Sequence, residues 1–328
     1  MSKRMPGRFK FFIGGSILGA ITCYYLNKPR QLKEWSPITG PYTKDISPRE
    51  KQWPPSVPIP FGYPGPINDA FPRKAYYASY NRQLRHPNWV FEHLTNESLK
   101  IGEGVDRKFS KFHEDPEIPA MFSAKLTDYY KSGYDRGHMA PAADARFSQE
   151  SLNETFYLTN IAPQVGVGFN RDYWAFLEEF CRRLVHKELF TDVYVFTGPA
   201  YLPYEENGKL MPFHYACNWY VKYKLIGDPP NVAVPTHFFK VVLAVKNDDS
   251  QTSGKLYALD CFLIPNQSIP HNAPLENFVV PLNALERATG LKFFENLREK
   301  TVPLCEATKC VLVPPLRWMI TLTQDDNF

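Results

Sequence analysis

Ten prolines fall between residues 28 and 66, and they divide the chain before any motif is considered. Proline lacks a backbone donor and fixes φ, so neither a helix nor a sheet runs through such a stretch, and an extended polyproline-II spacer is expected. The expected division is a leader (1–27), a linker (28–60), a globular body (61–312) and a tail (313–328) whose Pro314-Pro315 and Asp325-Asp326 read as a loose end. No internal repeat is evident.

The leader and the body differ in charge. Residues 1–33 carry seven lysines and arginines and no carboxylate; the remaining 31 basic residues face 34 acidic ones, so the body is at about −3 although the chain is formally +4. This excludes a generally cationic nucleic-acid binder: any phosphate affinity must come from local clusters and a metal. Residues 11–26 are apolar apart from Ser16 and Thr22. That run is short of the roughly 20 residues a bilayer span needs, though Tyr24 and Tyr25 suit an interface. A buried helix and a cleaved secretory signal are the alternatives, but no small-residue cleavage site follows Leu26, and a basic, acid-free start fits mitochondrial targeting.

In the body, residues 76–82 and 88–93 read as paired strands, and 156–160 as a short one. Ser148 is a candidate N-cap. Residues 170–186 form the clearest helix, with Tyr173, Leu177, Phe180, Cys181 and Leu184 on its core face and Arg182, Arg183 and Lys187 near its C-terminal end, where cations suit the dipole. Apolar or alternating runs at 193–197, 219–226, 238–245 and 256–264 read as strands. Pro281 and Gly290 bracket another helix. The fold class is α/β (α+β): a central, mostly antiparallel sheet flanked by helices. Cys181 and Cys261 sit in apolar runs as core residues; Cys305 and Cys310 are near enough to pair, as a free couple or a disulfide.

The chemistry concentrates in Arg136-Gly137-His138. Arginine is a fixed-charge fork for phosphate oxygens, histidine a base near neutral pH, and glycine lets the backbone bring both close to a ligand. Downstream, Asn170, Trp174 and Glu178 are spaced by four, which on a helix makes one stripe. Taken singly, these residues have plainer readings: Asn170 a helix cap, Glu178 a surface carboxylate, Arg107 a solvated turn residue in Asp106-Arg107-Lys108. Asp135 reads as an orienting hydrogen-bond or ion-pair partner of Arg136, Asn160 as structural, and His214 and His237 as satisfied histidines of the β region.

Asp135-Arg136-Gly137-His138, then Tyr157-Leu158-Thr159-Asn160-Ile161-Ala162-Pro163-Gln164, then Phe169-Asn170-Arg171-Asp172-Tyr173-Trp174 with Leu177-Glu178, together resemble the DNA/RNA non-specific endonucleases with a ββα-metal finger, most closely their fungal mitochondrial members. Tyr80-Asn81-Arg82 and Trp89-Val90-Phe91-Glu92-His93 resemble the family's opening hairpin. The resemblance runs from about residue 63 to about 310, and the tail beyond it matches nothing. It implies His138 as general base, Asn170 as ligand of Mg²⁺ (or Mn²⁺), Glu178 orienting a water of the ion, and Arg136 and Arg107 binding substrate phosphate. It also implies DNA and RNA as substrates with 5′-phosphate products, and a homodimer. Attachment to the mitochondrial membrane through the leader, in the inner membrane or intermembrane space, with release to the nucleus and a part in programmed cell death, completes the expectation. The competing reading is a non-catalytic, membrane-tethered nucleic-acid-binding protein on the same fold. A site-specific nuclease is disfavoured because no base-reading element is visible.

Overall fold

The computed structural model describes residues 59–313 except 60, 66–68, 188, 207–217 and 252. The leader, the tail beyond Val313, His214 and the linker apart from Ile59 lie outside the described residues. Ile59 itself is buried in the core, so packing begins slightly before the expected start of the body. Among the described residues no helix is long and apolar enough to cross a membrane.

The strands in chain order are β1 (Ala70–Pro72), β2 (Tyr76–Asn81), β3 (His86–Leu94), β4 (Asp135–His138), β5 (Ile161–Gln164), β6 (Asp192–Ala200), β7 (Tyr204–Glu206), β8 (Asn218–Tyr220), β9 (Leu225–Ile226), β10 (Val232–Ala233), β11 (His237–Asn247), β12 (Lys255–Pro265), β13 (Val279–Val280) and β14 (Thr301–Pro303). Among the described residues one eight-stranded sheet has the order β1-β2-β3-β6-β11-β12-β13, with β14 also paired to β12. Every ladder in it is antiparallel except β12·β14. The helices are α1 (Leu126–Tyr129), α2 (Gln149–Glu154), α3 (Tyr173–His186), α4 (Leu282–Thr289) and α5 (Leu304–Ala307).

β11 lies at the centre, and its residues from Phe238 to Val245 are all buried, because both faces of the sheet are covered. The period of two sorts them. Phe238, Val242 and Ala244 join Trp174, Leu177, Phe180 and Leu184 of α3 in one core. Phe239, Val241, Leu243 and Val245 join Trp89, Phe91, Phe196, Leu285 of α4 and Phe293 in the other. Gly290 caps α4 at φ +71°, a left-handed position glycine takes without strain.

The finger is a separate hairpin followed by a helix. β4 and β5 pair antiparallel, with Asp135 opposite Gln164 and His138 opposite Ile161, and a turn over 166–170 leads into α3. A Cβ on Gly137 would stand 2.0 Å from Gln164 Oε1, so only glycine lets the two strands close here. Asn266, just past β12, ties the hairpin to the sheet: its Oδ1 accepts from Val165 N (2.8 Å), and its Nδ2 donates to the carbonyls of Pro163 (3.1 Å) and Pro235 (2.9 Å).

Three local expectations are corrected. The helix starts at Tyr173, not Asn170, because Asp172 takes a non-helical backbone conformation (φ −127°, ψ −99°). The expected strand over 156–160 is instead a turn and a single 3-10 turn, Leu158–Asn160, and the strand begins at Ile161, where β4 supplies a partner. The expected strand over 219–226 is two short pieces, β8 and β9, paired with different partners. Cys305 and Cys310 form a disulfide, while Cys181 and Cys261 are buried free thiols, each pushed up to about 12 by burial.

Candidate active site

β4 ends at the rim of a cavity of about 840 Å³, which His138, Arg136, Arg107, Asn170 and Glu178 all line. The imidazole packs on Phe112 (ring centroids 5.3 Å) and Phe156 (4.9 Å), which also touch each other at 4.9 Å. The same two rings carry the arginines: Arg136 lies 4.6 Å over Phe112 and Arg107 5.4 Å over Phe156. Such cation–π contacts are worth about 0.5–2 kcal/mol each, and here they fix two guanidinium groups beside one imidazole. His138 Nε2 is shielded from solvent and has no hydrogen-bond partner among the described residues. Burial, reinforced by the Arg107 cation, brings the His138 pKa down to about 3, so the ring is neutral at physiological pH and able to accept a proton.

Asp135 does not pair with its neighbour Arg136. Its carboxylate receives two hydrogen bonds from Arg171 (2.7 and 2.6 Å) and one from Asn170 Nδ2 (2.9 Å), and the Arg171 bonds lead in holding its pKa below the usual carboxylate range. A carboxylate only accepts, so the Asn170 amide nitrogen must face Asp135. That leaves Asn170 Oδ1 as the atom this residue can offer the cavity.

Asn160 does not line the cavity. It is fully buried, with Nδ2 donating to the carbonyls of Ala140 and Thr155 (2.9 Å each) and Oδ1 accepting from Ala140 N (2.9 Å). Its own carbonyl accepts from Met139 N (2.9 Å). It thus clamps the chain immediately after His138.

The spacing of four misled in one respect. Trp174 is buried against Phe169 and Phe238, so Asn170, Trp174 and Glu178 do not form one stripe. The face of α3 that meets the cavity is Ala175, Glu178, Glu179 and Arg182. Arg182 is no solvated partner of the helix dipole: it is buried and paired with Asp144 (2.5 Å) and Glu179 (2.9 Å). Behind Glu178, the sheet contributes Lys240, which is fully buried, donates from Nζ to Thr197 Oγ1 (2.7 Å) and lies 5.0 Å over Trp174. Burial pushes the Glu178 carboxyl up to about 7, against the pull of the Lys240 and Arg182 cations.

Sequence reasoning also missed Phe112, Arg146 and Arg171 at this cavity. Arg182 had a signal, one turn beyond Glu178; Arg146 lies in no motif. His237 bonds Thr236 Oγ1 through Nδ1 (3.0 Å) and does not line the cavity. Among the described residues Asp260, Cys305 and Cys310 also converge, but both sulfurs are consumed in the disulfide. Among the groups lining the cavity, Asn170 Oδ1 and the Glu178 carboxylate are oxygen donors of the kind a divalent cation prefers.

The chain is similar to proteins of known activity over most of its length. It is 42% identical over 319 residues to "Nuclease 1, mitochondrial" of Schizosaccharomyces pombe, covering 95% of this chain and 94% of the relative. It is 49% identical to "Nuclease C1" of Cunninghamella echinulata var. echinulata, covering 77% and 94%. Among solved structures, the EndoG/EndoGI complex that describes EndoG inhibition matches with TM-score 0.65 and 42% identity over 73% of this chain and 90% of that one. The model of the DNA/RNA non-specific endonuclease family matches residues 56–300, and this chain belongs to that family.

Proposed function

We propose that this non-specific endonuclease is Mg²⁺- or Mn²⁺-dependent and cuts DNA and RNA to 5′-phosphate ends, with His138 as general base. The observation that carries this reading is that a neutral imidazole, an amide oxygen turned from Asp135 and a carboxylate belong to residues lining one arginine-rich cavity. His138 takes a proton from the attacking water, which contributes about 10²–10⁴-fold. Arg136 and Arg107 neutralise the non-bridging oxygens of the phosphate. Asp135 orients Asn170, whose Oδ1 would hold the ion, and Glu178 would help to hold it by orienting its hydration shell. When bound, the cation polarises the phosphate and stabilises the departing 3′ oxygen. Lack of sequence preference follows from contacts directed at phosphate rather than base edges.

The purified chain is expected to nick supercoiled plasmid and degrade RNA with added Mg²⁺ or Mn²⁺, and to stop when a chelator is added. Binding without nicking under the same conditions would favour the non-catalytic reading.

The leader 1–27 is the proposed membrane attachment and residues 61–312 the nuclease body, in a mitochondrial homodimer of the inner membrane or intermembrane space from which release to the nucleus permits DNA degradation in cell death. The mitochondrial names of relatives in two yeasts and the basic, acid-free leader support this. A full-length fusion tagged at its C-terminus should co-purify with mitochondria, with a dimer's mass in light scattering. Entry into the secretory pathway, or a monomer's mass, contradicts the corresponding half.

A further inference from the structure

Five arginines line the cavity, and they are not equivalent. Arg171 is committed to Asp135 and Arg182 to Asp144 and Glu179. Arg107 and Arg136 belong to the aromatic cluster around His138. Arg146 belongs to neither group. It stands between the 3-10 turn Ala142–Asp144 and α2, and among the described residues no carboxylate pairs with it.

Arg146 is nevertheless held in place. Its Nε donates to the Ala143 carbonyl (3.1 Å), which fixes the guanidinium plane and leaves its two terminal amino groups available. Its backbone carbonyl accepts from Gly102 N (2.8 Å), and Asp106 N donates to Gln149 Oε1 (2.9 Å). A Cβ on Gly102 would stand 2.3 Å from the Phe147 carbonyl oxygen, so glycine is what allows this approach. These bonds stitch the segment carrying Arg107 to the segment carrying Arg146. A positioned, unneutralised guanidinium in a half-buried setting suits an anion that arrives with the ligand. At about 840 Å³ the cavity is near the top of the roughly 300–1,000 Å³ typical of ligand sites, so it takes more than one phosphodiester.

We propose that Arg146 forms a second phosphate subsite, which grips the phosphodiester next to the one being cut, so that the enzyme favours a strand over an isolated diester. The inference rests on the nuclease reading above and adds a substrate feature to it. It is tested with two substrates in Mg²⁺: a short single-stranded oligonucleotide, and the p-nitrophenyl ester of thymidine 5′-phosphate, which has one phosphorus. For Arg146→Ala the preference for the oligonucleotide, as the ratio of the two kcat/KM values, should fall about tenfold, the effect of one lost charge-assisted hydrogen bond, mainly through the oligonucleotide KM. Arg146→Lys should recover much of that preference, because it retains the charge. In a His138→Ala background, the slope of log affinity against log salt for the oligonucleotide should shrink by about 0.7 on adding Arg146→Ala.

An equal loss on both substrates would place Arg146 at the reacting phosphate or in the fold, and would overturn the subsite. No loss on either would make it a bystander and do the same. A wild-type chain that cuts neither substrate overturns the nuclease reading itself, which is a different failure from an unaltered ratio.

Discussion

Replacing His138 by alanine lowers turnover on plasmid DNA by about 10²–10⁴-fold, the range removed with a general base, and leaves oligonucleotide affinity within about twofold. In the proposed mechanism phosphate is gripped by Arg136 and Arg107, which rest on Phe112 and Phe156 and remain when the imidazole is gone. The ring's pKa of about 3 has a further consequence. Above about pH 4 the base is already deprotonated, so His138 does not set an acid limb in the rate profile near neutrality. Its effect on stability has a definite sign. The native ring resists protonation while an unfolded histidine takes a proton near 6.5, so wild-type stability falls as pH drops from about 6.5 towards 3. The alanine variant lacks this contribution and should lose less stability between pH 7 and pH 4 in denaturant titrations. Turnover within tenfold of wild type would mean that another group activates the water.

The sequence revealed the scaffold better than the site, for physical reasons. The runs that became β11 and β12 announce themselves because a strand covered on both faces must be apolar along its length. The core face of α3 follows from its period, and the end of α4 from Gly290. The site depends on groups distant in the chain. Asp135 reaches past Arg136 to Arg171, because the β4·β5 hairpin returns the chain to it. The spacing of Asn170 to Glu178 matched a helix that does not start until Tyr173; both still line one cavity although Asn170 belongs to the turn before the helix. Lys240 is a lone charge inside an apolar strand. Its meaning depends on which face of β11 it takes, and its parity with Phe238 and Val242 puts it beneath α3. No local pattern encodes that neighbour.

Glu178→Gln should move stability and activity in opposite directions. The carboxyl titrates at about 7 in the fold against an ordinary 4.5, because burial disfavours the anion more than Lys240 and Arg182 favour it. In that window the native state holds the proton more tightly than the unfolded chain does, so stability declines as pH rises from 4.5 through 7, and the full penalty applies above. The gap between 4.5 and about 7, at about 1.36 kcal/mol per pH unit, sets a ceiling of about 3 kcal/mol. Because Glu178 borders a cavity that admits water, a gain of about 1–3 kcal/mol is expected for the neutral glutamine at pH 8 without divalent cation. The gain should shrink to a few tenths of a kcal/mol near pH 4.5, roughly RT ln 2, where the folded carboxyl is protonated and the unfolded one half protonated. Turnover should fall, and Mg²⁺ affinity should weaken about 10–100-fold, as when a group that orients a metal's shell is removed. Added Mg²⁺ should then raise the wild-type unfolding midpoint at pH 8 and leave that of the variant nearly unmoved. Urea unfolding at pH 4.5 and 8, with and without Mg²⁺, reads all of this. Equal stability of the two proteins at pH 8 would show that Glu178 is not strained by its surroundings. The predicted exchange gives a physical reason for an acid in so unfavourable a place: the penalty borne by the empty site is offset when a cation enters.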